Sequence, residues 1–72
     1  VTAVVNMPLV RTGSQGNSVK ELQTRLNALG YDCGAVDGIF GVKTLAAVKA
    51  YQTAKALDVD GIVGVKTWGA LR

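Results

Sequence analysis

The chain has 72 residues, 49 % of them hydrophobic, and a net charge of +3. That length holds one domain at most, and the apolar content is enough to fold it without a metal or a disulfide. A single cysteine, Cys33, excludes an internal disulfide, and the absence of histidine removes the usual zinc patterns.

Charge and hydropathy exclude two further classes. Lys43, Lys49 and Lys55 recur at intervals that point them in different directions around a helix. They make no basic stripe, so nucleic acid is not an expected partner. No apolar run approaches the roughly 20 residues of a membrane span, and the short apolar start, Val1 to Val5, has no charged leader. Residues 1–12 read as a linker and residues 13–72 as the domain.

In chain order, the first helix is predicted over Ser18 to Leu29. Ser18 and Glu21 fit a capping box. Val19, Leu22, Leu26 and Leu29 recur at three and four and share one face. Gly30 supplies a left-handed stop. The second helix is predicted over Val42 to Ala56, with Leu45, Ala47, Val48 and Tyr51 inward. The third spans Val65 to Leu71, with Trp68 and Leu71 as its apolar pair. Val59 to Val63 reads as a short extended piece. The predicted class is all-α: a compact three-helix domain with two repeated Asp-Gly loops.

Those loops are the strongest internal signal. Asp37-Gly38-Ile39-Phe40-Gly41-Val42-Lys43-Thr44 recurs as Asp60-Gly61-Ile62-Val63-Gly64-Val65-Lys66-Thr67. An aspartate closes a turn by accepting an N–H two residues on, so Asp37 and Asp60 read as structural first. Gln52 falls on the apolar face of the second helix, where a buried amide must find partners. Loop backbone beside an Asp-Gly turn is the expected one, and Gln23 is placed to serve the other loop. Cys33 reads as a small buried hydrophobe.

Catalysis by the chain alone is not expected. Wall-type amide or glycosidic hydrolysis needs a metal-bound water, an activated nucleophile or paired carboxylates. Without histidine the first two fail, and of Glu21, Asp32, Asp37, Asp58 and Asp60 two are claimed by turns.

Several motifs together resemble a known family. They are Gly13-Ser14-Gln15-Gly16, Val19-x-x-Leu22-Gln23-x-x-Leu26-x-x-Leu29-Gly30-Tyr31, Val36-Asp37-Gly38-Ile39-Phe40-Gly41-x-x-Thr44, Ala47-Val48-x-x-Tyr51-Gln52 and Asp60-Gly61-x-x-Gly64-x-x-Thr67. In this order and spacing they resemble the type 1 peptidoglycan-binding-like domain from about Val10 to Leu71. Tyr51 departs from the family's usual phenylalanine. The resemblance implies a non-catalytic module that targets a covalently fused amidase, peptidase or muramidase to peptidoglycan, outside the cell and at the wall. It implies no cofactor and no metal. It also implies a shallow groove near the repeated loops, for which Gln23, Tyr31, Asp37, Gly38, Phe40, Gly41, Thr44 and Trp68 are the candidate ligand-binding residues. Two other readings remain open. One is an inhibitory pro-domain of a metalloprotease, since Cys33-Gly34-x-x-Asp37 resembles the thiol switch of matrix metalloproteinase propeptides. The other is a generic protein-interaction domain.

Overall fold

Three helices follow one another along the chain: α1 (Asn17–Ala28), α2 (Val42–Ala54) and α3 (Val65–Leu71). The computed structural model describes residues 9–71. Among these residues there is no regular strand, only two isolated antiparallel bridges, Val10 with Val63 and Gln15 with Ile39. No described helix is long and apolar enough to cross a membrane.

Helix α1 buries Val19, Leu22, Gln23 and Leu26, the one-sided spacing of an amphipathic helix. Its start differs from the capping-box expectation. The helix begins at Asn17, its N-cap is Gly16, and no side chain caps it. Ser18 therefore lies inside the first turn, and Glu21 pairs with Arg25 instead, at 2.7 Å on the exposed face. Such a pair is worth only a few tenths of a kcal/mol. The cause is tertiary. The Gly16 N–H donates to the Gly38 carbonyl at 2.9 Å, while the Gly16 carbonyl accepts the Lys20 N–H at 3.2 Å. The first Asp-Gly loop thus fixes where the helix begins.

Both longer helices end in the same way. In α1 the Tyr31 N–H donates to the Leu26 carbonyl at 2.8 Å and Gly30 N–H to Asn27 at 3.1 Å, with Gly30 at φ 95°. This is the Schellman arrangement, and it turns Leu29 outward to 52 % exposure rather than onto the apolar face. In α2 the Leu57 N–H donates to Gln52 at 2.8 Å and Ala56 N–H to Thr53 at 3.2 Å. Here the left-handed position is Ala56, at φ 57°. These bonds close the helix at Ala54, short of the predicted Ala56, at a stop that no glycine marks in the sequence.

The core joins all three helices. Val19, Leu22 and Leu26 meet Ala47, Val48 and Tyr51 from α2 and Trp68 and Leu71 from α3. Leu45 and Tyr31 pack against it, half-buried. The Tyr31 and Tyr51 rings meet edge to face, 5.2 Å between centroids, a contact worth about 0.5–1.5 kcal/mol beyond its area. Phe40 and Val63, the one difference between the two eight-residue repeats, are both buried in it.

The packed unit also reaches upstream of the expected boundary. Val10, assigned to the linker from sequence, is 1 % exposed and belongs to the core. It exchanges backbone hydrogen bonds with Val63 at 3.1 and 2.7 Å, so Val63 is the extended residue of the segment predicted from Val59. A few residues on, Ser14 accepts from Phe40 at 3.0 Å and Gly13 donates to it at 3.2 Å. One short stretch, Val10 to Gly16, is thereby bonded to both repeated loops and holds them side by side. The rest of the predicted linker, residues 1–8, lies outside the described residues.

Candidate functional site

Each repeated loop is pinned to the helix before it by one buried glutamine. Gln23 Nε2 donates to Asp37 Oδ1 at 3.0 Å, to the Ile39 carbonyl at 3.0 Å and to Thr44 Oγ1 at 3.1 Å; its Oε1 accepts the Gly38 N–H at 2.9 Å. Gln52 does the same with Asp60 at 3.1 Å, Ile62 at 3.0 Å, Thr67 at 3.3 Å and Gly61 at 3.0 Å. An amide NH₂ has two hydrogens, so three acceptors must share them. The amide orientation follows from its neighbours, since a carbonyl oxygen turned toward the aspartate would meet another acceptor.

The aspartates close their own turns. Asp37 Oδ1 accepts the Ile39 N–H at 3.0 Å and Asp60 Oδ1 the Ile62 N–H at 2.9 Å. The Ile39 N–H, and after it the Gln23 amide, holds the Asp37 carboxyl below its ordinary value. The Ile62 N–H lowers Asp60 likewise, opposed by burial and helped by Gln52. Hydrogen bonds to the ionised form favour it.

The longer first loop needs a second anchor, which sequence reasoning missed. Asn27 Nδ2 donates to the Gly34 carbonyl at 3.0 Å, and its Oδ1 accepts the Cys33 N–H at 2.9 Å. Asp32 Oδ1 accepts the Gly34 N–H at 2.9 Å. Cys33 is 3 % exposed, and its thiol lies 3.4 Å from the Gln23 carbonyl and 3.3 Å from Asn27 Oδ1. Burial above all pushes this thiol up, with Asp32 and Asp37 adding to it. It is neither a ready nucleophile nor a thiolate ligand at neutral pH.

Where each pinned loop enters its next helix, a shallow cleft opens. The first, of about 260 Å³, is lined by Gln23, Cys33, Ala35, Asp37, Ile39, Gly41, Val42, Lys43 and Thr44. The second, of about 240 Å³, is lined by Leu57, Asp58, Asp60, Ile62, Gly64, Val65, Lys66 and Thr67. Of the residues predicted for a ligand surface, Gln23, Asp37, Gly41 and Thr44 meet at the first cleft. Gln23 and Thr44 are its buried floor, already engaged with each other. Gly38 is buried under the latch, and Phe40 and Trp68 are core residues, 2 % and 1 % exposed. Tyr31 is half-buried against Tyr51 and lines neither cleft. The accessible lining that sequence reasoning passed over is Ile39, Val42 and Lys43, and the whole second cleft. Its signal was present: these residues repeat although Ile39 is 50 % and Val42 85 % exposed, so the core does not require them.

The family model described as "Putative peptidoglycan binding domain" matches residues 15–71. The chain belongs to this family. This peptidoglycan-binding domain is similar to an uncharacterized protein of Kitasatospora aureofaciens, 49 % identical over 65 residues, covering 89 % of this chain and 55 % of that protein. It is also similar to the spore cortex-lytic enzyme of Halalkalibacterium halodurans, 41 % identical over 52 residues, covering 72 % of this chain and 16 % of the enzyme. Among solved structures, the SleB N-terminal domain superposes with a TM-score of 0.88 at 39 % identity, covering 92 % of this chain and 90 % of that one. The domain thus spans about half of one curated relative, 55 %, and a small part of the other, 16 %.

Proposed function

We propose that this domain is a non-catalytic module that binds peptidoglycan and holds a covalently linked cell-wall hydrolase on its substrate, outside the cell. The family match over residues 15–71 carries the reading, and the spore cortex-lytic relative supports a hydrolase as the linked domain. The ligand surface of this reading is the first cleft. Its floor is fixed by the Gln23 latch, and its walls offer apolar contact from Ile39 and Val42 and a cation from Lys43.

A cleft this open in so small a domain gives weak affinity, roughly micromolar to millimolar. Tethering to a polymer of many identical units raises the local concentration of the linked enzyme without tight binding. The pro-domain reading loses its ground, because the Cys33 thiol is buried and pushed up rather than displayed.

The test is co-sedimentation of the purified chain with isolated wall sacculi, beside Val42→Asp. Val42 is 85 % exposed, so the variant keeps its fold. The wild type pellets with the walls, Val42→Asp stays largely in solution, and neither releases amines or reducing ends. A folded wild type that remains in the supernatant refutes the function; a Val42→Asp variant that pellets equally well refutes the placement.

A further inference from the structure

We propose that the second cleft is a second ligand subsite, so that one module engages two peptide stems of the wall rather than its glycan strand. The inference rests on the peptidoglycan reading above and goes beyond it in number of subsites and in ligand class.

The first argument is structural equivalence. Asp37, Ile39, Gly41, Val42, Lys43 and Thr44 at one cleft correspond to Asp60, Ile62, Gly64, Val65, Lys66 and Thr67 at the other. The latches agree to within a few tenths of an ångström at every bond. A latch needs only the glutamine, aspartate, glycine and threonine. It makes no use of Val42 and Val65, 85 % and 60 % exposed, or of Lys43 and Lys66. An exposed valine in the first turn of a helix brings no intrinsic advantage, being β-branched. Finding the same valine-lysine pair exposed at both clefts points to a shared contact surface.

The second argument is the chemistry of the walls. Sugar rings are held mainly against aromatic faces, and no aromatic side chain lines either cleft. Besides the latch threonine and a glycine, the two linings share an isoleucine, a valine, a lysine and an aspartate. Such a set takes short aliphatic side chains and a carboxylate, as a small peptide offers them. The two subsites are not equal. Leu57 and Asp58 at the second replace Cys33 and Ala35 at the first. Two carboxylates, Asp58 and Asp60, line the second cleft where Asp37 alone lines the first, so a carboxylate-bearing peptide binds the second subsite more weakly.

The experiment is an NMR titration of the ¹⁵N-labelled chain with two probes from one amidase digest of purified walls: the released stem peptides and the peptide-free glycan strands. The stem peptides shift the Val42–Lys43 amides first and the Val65–Lys66 amides at higher concentration, and the glycan strands shift neither. Lys66→Ala abolishes the second set, leaves the first, and lowers retention on intact walls about tenfold or more. A chain that binds walls but shows peptide shifts at the first cleft alone, or a Lys66→Ala variant retained as well as wild type, overturns the second subsite. Shifts caused by the glycan strands overturn the ligand class. If walls and both fragments fail to bind, it is the peptidoglycan reading itself that falls.

Discussion

Gln23 and Asp37 are joined by a 3.0 Å hydrogen bond from the amide to the carboxylate, and the same bond recurs at 3.1 Å between Gln52 and Asp60. Each pair ties a helix interior to a loop that has no other regular structure. The glutamines are 1 % exposed, and the Gly38 and Gly61 N–H groups that they accept are buried with them.

Removing a latch should therefore cost far more than a surface change. Gln52→Ala leaves the Gly61 N–H and the Ile62 carbonyl without their partner, for a loss of about 2–4 kcal/mol. Gln52→Glu does no better at neutral pH, because a second carboxylate then faces Asp60 where a donor was needed. Urea unfolding of both variants, followed by circular dichroism, measures this; a Gln52→Glu variant as stable as wild type would contradict the donor role.

Two left-handed backbone positions should respond in opposite directions to the same pair of residues. At Gly61, φ 73°, a Cβ would lie 2.6 Å from Leu45 Cδ1 and push that side-chain end aside, so Gly61→Ala carries chiefly the left-handed backbone strain and costs about 1–2 kcal/mol. At Ala56, φ 57°, the strain is already present. Ala56→Gly relieves it, less the added freedom of the unfolded chain, and should stabilise by about 0.5–1 kcal/mol. Thermal melts of the two variants should move apart from wild type on opposite sides.

Tyr51 is 1 % exposed, and its hydroxyl is buried without a hydrogen-bond partner among the described residues. Burial pushes this phenol up, with Tyr31 adding to it. Tyr51→Phe keeps the ring against Tyr31 and removes the orphaned hydroxyl. It should raise the unfolding free energy by about 1 kcal/mol and leave wall binding unchanged. A loss of stability would mean that the hydroxyl is satisfied in solution.

Acid should weaken the loops before it unfolds the core. Asp37 and Asp60 titrate below their ordinary value of 3.8 when folded. A carboxylate whose value is depressed by folding stabilises the native state above its unfolded value, and that contribution is lost as pH falls through the folded one. These two groups therefore contribute a level stability from about pH 5 to pH 8 and a decline below about pH 4. The double variant Asp37→Asn with Asp60→Asn should flatten the acid limb of a melting-temperature curve; an unchanged limb would assign the decline to other carboxylates.

Much of this molecule was legible in the linear pattern. The eight-residue repeat, the three helices and the inward faces of Val19, Leu22, Leu26, Val48 and Trp68 follow from periodicity and turn chemistry, which are local. So does the need of Gln52 for loop partners, because a polar group on an apolar face has few ways to be satisfied. What sequence reasoning missed depends on contacts between distant residues. Helix α1 starts at Asn17 because Gly38 captures the Gly16 N–H, and no local cap records that. Helix α2 stops before a left-handed Ala56 because Leu57 is drawn back to Gln52, at a position with no glycine to mark it. Phe40, read as a ligand candidate beside a loop, became core once the helices closed over it, and of the two readings given to Trp68 the inward one holds. The clefts exist only where a latched loop is held against the first turn of the next helix, so their accessible walls, Ile39, Val42 and Lys43 and their repeats, were decided by the tertiary structure alone.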